Sequence, residues 1–256
     1  MSKQESVWHR PPSQVMLNAN EVHVWRVPLD MSPGTIERLS QFLAPDERAK
    51  AERFRFARDR NQFIIGRGLL RVLLGRYLVC DPQRVSFCYN TYGKPSLDAA
   101  LSTSGLQFNL SHSHQLALLA FTYVGNVGVD IEYMRSDVEF EQLAERFFAP
   151  GECAVLQALP VAAREEAFYN CWTRKEAYIK GRGKGLSIPL ESFEVSLRPG
   201  EPAALLRSRE QPSDVLRWSL HTLIPGEQYA AALAVEDTHW QLRCWHWLEE
   251  TEHSLC

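Results

Sequence analysis

Hydrophobic and polar positions alternate along this chain in two recurring patterns, one with the period of a strand and one with the period of a helix. Short β-rich runs at residues 22–27 and 85–89 predict strands. Helical spacing occurs at residues 36–42, begins again at Pro45, and is strongest at 59–78, where apolar side chains fall near one face. The first half of the chain is therefore predicted to carry helices between strands.

The second half follows the same plan. Strand-like runs open it, helical patterns follow, and further strand-like runs close it. The first strands are predicted at 106–110, 116–123 and 127–132, the helices at 140–148, 151–158 and 163–180, and the last strands at 193–197, 215–221 and 228–235. Helices and strands mixed in this way predict an α+β fold.

A short internal repeat accompanies this order of elements. Residues 42–49, Phe-Leu-Ala-Pro-Asp-Glu-Arg-Ala, match residues 147–154, Phe-Phe-Ala-Pro-Gly-Glu-Cys-Ala, at five of eight positions. The repeat and the shared order predict two similar lobes, residues 1–124 and residues 125–256, the second carrying a C-terminal tail. A long ligand would lie in the crevice between the lobes.

Composition and charge narrow the class of protein. The 256 residues are 45% hydrophobic and 23% charged, with a formal net charge of −3. This balance gives no overall basic character, so we expect no nucleic-acid partner. An anionic ligand would have to be held by local basic groups. No run approaches the roughly 20 apolar residues of a membrane helix, so we expect no membrane partner either.

The cysteines and the N-terminus indicate a reducing compartment. The six cysteines form no CxxC pair, and their spacing suits neither a zinc site nor a disulfide framework. Residues 1–12 contain charged side chains and no apolar run, unlike a signal peptide. We therefore expect free thiols and a cytoplasmic protein.

The first candidate for chemistry is the acidic pair Asp130 and Glu132. Residues two apart on a strand point to the same face, so the two carboxylates would lie side by side with Val129 and Ile131 behind them. Two like charges this close are costly unless a cation neutralises them, and oxygen ligands suit magnesium. Two solvated acids at a strand end remain the alternative.

The second candidate lies on the predicted helix at 163–180. Glu176 and Lys180 are neighbours at i and i+4, and Glu176 could supply a third carboxylate. Lys175 and Lys180 could hold phosphate oxygens. A surface salt bridge is the alternative, and the apolar residues around these charges argue against it, because charges in such a setting need a partner.

Further polar residues could bind an anion. Ser111 and His112 lie between two strand-like runs and could bind a phosphate; a polar turn or a Ser/His nucleophile pair is the alternative, but no G-x-S-x-G elbow surrounds Ser111. Arg60 and Arg67 are two helical turns apart and could hold a phosphate together, although most of the nearby arginines fit a solvated face. Lys94 lies in a tight turn before Pro95.

Three of these segments share an order and spacing that is more specific than any one of them. They are residues 108–113 (Phe-Asn-Leu-Ser-His-Ser), 127–132 (Val-Gly-Val-Asp-Ile-Glu) and 171–180 (Cys-Trp-Thr-Arg-Lys-Glu-Ala-Tyr-Ile-Lys). The combination closely resembles the phosphopantetheinyl transferase family, above all its long single-chain form, which activates surfactin synthetase. The similarity covers residues 42–197.

The resemblance implies a fold, a reaction and a set of roles. Two lobes related by a pseudo-twofold axis would hold coenzyme A, the substrate, between them. The enzyme would transfer 4′-phosphopantetheine to a serine of an apo acyl or peptidyl carrier protein, as a monomer. The implied magnesium ligands are Asp130, Glu132 and Glu176. The implied coenzyme A contacts are Lys50, Arg60, Arg67, Lys94, Pro95, Ser111, His112, Asp130, Lys175 and Lys180.

Two of these residues would also have catalytic roles. Glu176 could accept the proton of the carrier serine, and Lys180 could stabilise the departing adenosine 3′,5′-bisphosphate.

The chain departs from the family at Glu47, where some members carry a lysine, which leaves Lys50 as the basic residue there. The alternatives are a magnesium-dependent hydrolase of nucleotides or coenzyme A, and a catalytically silent coenzyme A-binding module.

Overall fold

The computed structural model describes residues 7–135 and 137–249. Cys256 and the outer ends of both predicted lobes lie outside these described residues. The first half forms β1 (Trp8–His9), β2 (Glu21–Pro28), α1 (Pro33–Gln41), α2 (Pro45–Glu52), α3 (Ala57–Leu78), β3 (Phe87–Tyr89), β4 (Pro95–Leu97), α4 (Ala99–Ser102), β5 (Gln107–Ser113) and β6 (Leu116–Thr122).

The second half repeats this series. It forms β7 (Val127–Tyr133), α5 (Phe140–Phe147), α6 (Pro150–Ala158), α7 (Val161–Arg182), β8 (Phe193–Val195), β9 (Leu205–Ser208), α8 (Asp214–Arg217), β10 (Ser219–Leu223), β11 (Tyr229–Val235) and β12 (Gln241–His246). From β2 to β6 and from β7 to β11, each half has a strand, three helices, a two-stranded hairpin, a one-turn helix and two strands.

The strand orders repeat as well. The first sheet contains the series β2-β6-β5, and the second sheet has the matching order β7-β11-β10. The long helices α3 and α7 each have 22 residues. The predicted α+β fold with two similar lobes is therefore confirmed. We propose that the lobes divide near residue 124, in the turn between β6 and β7.

The repeat extends to single ion pairs. Glu47 and Glu152 are each the third residue of α2 and α6, and each accepts the backbone N–H of the residue that precedes the helix. Glu47 pairs with Arg71 at 2.6 Å, and Glu152 pairs with Lys175 at 2.7 Å. Arg71 and Lys175 are each the fifteenth residue of their helix. The two lobes therefore share buried charge contacts as well as topology.

The lobes are joined by sheet-on-sheet packing. On β2, Val22 and Val24 face the other sheet, whereas Trp25 and Val27 face the core beneath the helices of the first lobe. Alternate side chains of β6 and of β11 likewise face the other sheet and the helices of their own lobe. Both strands are therefore covered on both faces, which fits their near-continuous apolar sequences. On β7 the odd-numbered residues 127–131 face the first sheet, so the even-numbered residues face α7.

The C-terminal tail returns to the first lobe, which corrects its assignment to the second. Strand β12 pairs in parallel with β2, and β1 pairs in parallel with β12, so the first sheet has the order β1-β12-β2-β6-β5. Trp245 and Trp247 then pack against Trp25. Within the described ranges, no helix is long and apolar enough to cross a membrane.

Candidate active site

The site is built where α7 crosses the face of β7 that carries Gly128, Asp130 and Glu132. A Cβ atom on Gly128 would lie 2.0 Å from the carbonyl oxygen of Ala177 and 2.3 Å from the backbone nitrogen of Gly181. Only glycine allows the helix to come this close to the strand. The contact brings Glu176 and Lys180, one helical turn apart, over the two strand carboxylates.

Replacing Gly128 by alanine is expected to push α7 off β7. Overpacking against backbone atoms typically costs about 1–3 kcal/mol of the free energy of unfolding, and the shift would also separate Glu176 from Asp130. Urea denaturation and turnover measure the two effects. Gly34→Ala is the control, because a Cβ at Gly34 meets nothing within 4 Å. Equal stability of both variants would contradict the close contact.

Asp130 is the centre of the site, and its two carboxylate oxygens differ. Oδ1 accepts the ammonium of Lys180 at 2.6 Å and the hydroxyl of Ser111 at 2.8 Å. Lys180 also donates to the Ser111 hydroxyl at 2.8 Å. Oδ2 is buried without any hydrogen-bond partner. An unpartnered buried carboxylate oxygen is costly, so one ligand position at Asp130 is left to be filled.

Two further carboxylates lie near Asp130. Glu132 accepts the hydroxyl of Ser113 at 2.9 Å. Burial raises the pKa of Glu132, and the neighbouring Asp130 raises it further. Burial raises the pKa of Glu176 to about 7, with Asp130 and Glu132 adding to the effect and Lys180 opposing it. The three carboxylates therefore repel one another, and a cation would relieve that repulsion.

The residues fit a hard divalent cation. In the part of the chain that the structure describes, no three aspartate, glutamate, histidine or cysteine side chains are grouped so that they could hold a metal ion as they stand. The cation nearest to Asp130 is the Lys180 ammonium, on Oδ1. The free Oδ2 of Asp130 and the carboxylates of Glu132 and Glu176 supply the oxygen-only donors that magnesium prefers.

Side chains of β5 link the two lobes beside these carboxylates. Asn109 accepts the backbone N–H of Val129 at 2.9 Å, Ser111 binds Asp130, and Ser113 binds Glu132. The roles of Asn109 and Ser113 were missed from sequence. The signal was present in the alternation, because residues 109, 111 and 113 share one face of a strand just as 130 and 132 do. Ser111 positions Asp130, although a phosphate contact was expected of it.

A cavity of about 520 Å³ opens in the first lobe beside this site. Four of the expected coenzyme A contacts line it: Lys50, Arg67, Pro95 and His112. Arg60 does not line it and is exposed on the surface of α3. Asp46, Glu47 and Asp59 also line the cavity, so its walls carry both signs of charge.

Glu47 lines this cavity and holds two arginines. It pairs with Arg67 at 2.5 Å and with Arg71 at 2.6 Å. Arg67 also donates to the hydroxyl of Tyr89. Arg67 is thereby held at the cavity wall by Glu47 and Tyr89, and Lys50 lies over the ring of Phe63 nearby.

Two expected coenzyme A contacts, Lys175 and Lys94, point elsewhere. Lys175 is fully buried; its ammonium pairs with Glu152 and donates to the carbonyls of Leu190 and Phe193. It is committed to contacts inside the second lobe, which corrects the expectation that it holds a phosphate. Lys94 directs its ammonium to the carbonyl of Gly181, away from the cavity that its neighbour Pro95 lines.

Comparisons with known proteins agree with this arrangement. Residues 126–234 match the family described as the 4′-phosphopantetheinyl transferase superfamily. Residues 30–123 match a second family described as 4′-phosphopantetheinyl transferase, N-terminal. The two matched segments follow one another along the chain, so the similarity extends through both lobes.

Individual relatives are similar over nearly their whole length. The chain is 42% identical to the 4′-phosphopantetheinyl transferase HetI of Nostoc sp. over 95% of this chain and 99% of that protein. It is 32% identical to the 4′-phosphopantetheinyl transferase Sfp of Bacillus subtilis over 78% of this chain and 86% of that protein. The chain therefore belongs to the 4′-phosphopantetheinyl transferase superfamily, as a member of its long, Sfp-like type.

Proposed function

We propose that coenzyme A binds between the lobes with its pyrophosphate at Asp130 and its adenosine 3′-phosphate in the cavity beside α3. A 4′-phosphopantetheinyl transferase moves the phosphopantetheine arm of coenzyme A to a serine of a carrier protein, and this chain is an enzyme of that class. The main support for this placement is the buried Oδ2 of Asp130, which has no hydrogen-bond partner and lies near the carboxylates of Glu132 and Glu176.

Asp130, Glu132 and Glu176 are the proposed magnesium ligands. When bound, the ion would offset the negative charge of the pyrophosphate and of the attack on it. Asp130 presents Oδ2 because Ser111 and Lys180 already hold Oδ1. Ser113 fixes Glu132 in the same way through its hydroxyl. The hydroxyls of β5 therefore orient the carboxylates before any ligand arrives.

Glu176 is the proposed base and Lys180 stabilises the leaving group. The carrier serine hydroxyl gives its proton to the carboxylate of Glu176, which lies on α7 one helical turn before Lys180. The serine oxygen bonds to the β-phosphorus, and the bond from that phosphorus to the bridging oxygen breaks. The electron pair leaves with adenosine 3′,5′-bisphosphate, whose new charge is stabilised by the ammonium of Lys180.

His112 and Lys50 are the proposed partners of the 3′-phosphate, since both line the cavity and neither side chain is engaged by an acidic residue among the described contacts. Arg67, which is paired with Glu47, lines the same cavity. Replacing His112 by alanine is expected to raise the Kd of coenzyme A about tenfold, because a hydrogen bond to a charged group contributes about 1.5 kcal/mol.

The matched ligand is dephospho-coenzyme A, which lacks the 3′-phosphate. Titration calorimetry of both ligands against the wild type and His112→Ala separates the phosphate contact from a general loss of binding. The Kd of dephospho-coenzyme A should change less than twofold. Arg60→Ala is the control variant, because Arg60 lies outside the cavity. An equal loss for both ligands would contradict the placement of the 3′-phosphate.

We also propose an oligomeric state, a compartment and a class of protein partner for this enzyme. Both lobes are present in one polypeptide, and residues of both meet at Asp130, so a monomer suffices; gel filtration with light scattering tests this. Five cysteines in the described residues are free, which fits a reducing cytoplasm. The partners proposed are apo acyl or peptidyl carrier proteins, whose acidic recognition helix would meet local basic groups of this chain.

A further inference from the structure

The turn that joins β3 to β4 is shaped by one side chain. Asn90 accepts the backbone N–H groups of Tyr92 and Lys94 through Oδ1, each at 2.9 Å. Gly93 completes the turn with a φ of 82°, a left-handed conformation that favours glycine. The turn therefore has a defined shape, with its amide and ammonium donors aimed at the second lobe.

The donors reach the end of α7 and the start of β7. The Lys94 ammonium donates to the carbonyls of Gly181 at 2.9 Å and Val127 at 3.3 Å. The Asn90 amide donates to the carbonyl of Gly183 at 2.6 Å. Gly181 lies in the last turn of α7, and Gly183 ends it in a left-handed conformation. A cation is favourable at this end of a helix, where carbonyls lack partners.

These two elements carry the three proposed magnesium ligands and Lys180. Asp130 and Glu132 follow Val127 on β7, and Glu176 and Lys180 precede Gly181 on α7. Lys94 thus links the start of β7 to the C-terminal end of α7, next to the residues of both elements that form the site. A side chain on the first lobe holds together the two elements of the second lobe that must stay in register.

The other side of the same turn faces the ligand cavity. Gly93 and Pro95, on either side of Lys94, line the cavity proposed for the nucleotide, whereas Lys94 lines a separate pocket between the lobes with Gly181 and Gly183. One short turn therefore lines the cavity with Gly93 and Pro95, and contacts the C-terminal end of α7 through Lys94 and Asn90.

We infer that Lys94 is a positioning residue, which sets the placement of Glu176 and Lys180 over Asp130 by tying the C-terminal end of α7 to the start of β7. The inference rests on the proposed function of those three residues. Lys94 changes the rate of transfer by positioning α7 and does not contact the nucleotide, in contrast to the coenzyme A contact that the sequence predicted for it.

Replacing Lys94 by methionine keeps the length of the side chain and removes its donors. We expect kcat to fall about tenfold, since a displacement of catalytic groups by about 1 Å can cost up to about 100-fold. The Kd of adenosine 3′,5′-bisphosphate, measured by calorimetry, should stay within about twofold of the wild type. Lys94→Arg keeps a cation and donors and should recover most of the rate.

Hydrogen–deuterium exchange gives a second readout that needs neither carrier nor metal. Amides at residues 179–183 should exchange faster in Lys94→Met, and those in the middle of α7 should not. The control is Arg84→Met, which removes an exposed cation from the same lobe. If Lys94→Met does not fold, Lys94→Gln takes its place in both measurements.

The outcomes separate this role from a ligand contact. Faster exchange at the end of α7 with unchanged nucleotide affinity supports the tether, and does so even if the proposed chemistry at Asp130 fails. A raised Kd for adenosine 3′,5′-bisphosphate with unchanged exchange would make Lys94 a nucleotide contact and overturn the inference. Unchanged exchange and unchanged kcat would also overturn it.

Discussion

Replacing Asp130 by asparagine is expected to lower kcat for carrier modification by about 10³-fold. The asparagine amide would keep the shape of the side chain but lose the charge that holds both Lys180 and the proposed metal ion. A metal ion at a reacting phosphate contributes several kcal/mol, and each 1.36 kcal/mol is a tenfold change in rate. Calorimetric titration with a divalent cation and coenzyme A should show the matching loss of metal affinity.

Stability separates a chemical effect from misfolding in this variant. The Asp130 carboxylate is buried, and burial raises its pKa although Lys180 and Ser111 lower it. Removing the buried charge should therefore leave the cooperative thermal transition in place. Ser113→Ala is a useful companion, because it loosens Glu132 without removing a charge and should cost far less activity. Near-normal turnover by Asp130→Asn would contradict the proposed site.

Replacing Lys175 by methionine is expected to lower the free energy of unfolding by about 3 kcal/mol, because it leaves a buried charge without its partner. Glu152 would keep the backbone N–H groups of Ala149 and Val195 but lose the ammonium at 2.7 Å. The carbonyls of Leu190 and Phe193 would lose their donor as well. Urea denaturation measures the change.

The control for this prediction is Lys184→Met, which removes an exposed lysine just beyond the same helix and should change stability by less than about 0.5 kcal/mol. The nucleotide affinity of Lys175→Met should be normal while the protein is folded, because Lys175 has no exposed surface. A loss of coenzyme A affinity with unchanged stability would restore the phosphate contact first expected of Lys175.

The neighbouring residues Lys175 and Glu176 illustrate what the sequence could and could not determine. The helix itself and the pairing of Glu176 with Lys180 at i and i+4 followed from spacing alone. Successive residues on a helix point about 100° apart, so Lys175 and Glu176 could not both face the same cleft. Which of them faced inward depended on where Glu152 lies, a long-range contact that no local pattern reveals.

The boundaries of the helices and strands were likewise predicted in some parts of the chain and not in others. Long periodic segments such as α3 and β7 were predicted closely, because burial on one or both faces fixes their pattern. The predicted strand at 215–221 instead divides into α8 and β10, and the Asp214 carboxylate that begins this helix is buried against Tyr178 and Arg182. Strand β12 was missed because its pairing partner, β2, is far away in sequence.

Intact-mass analysis of an apo carrier protein, after incubation with this enzyme and coenzyme A, tests the central claim most directly. With magnesium, the carrier should gain the mass of one phosphopantetheine group, and EDTA should abolish the gain. Release of free phosphopantetheine with an unmodified carrier would identify a hydrolase. An unmodified carrier together with intact, bound coenzyme A would identify a silent binding module, and either result would contradict transfer at Asp130, Glu132 and Glu176.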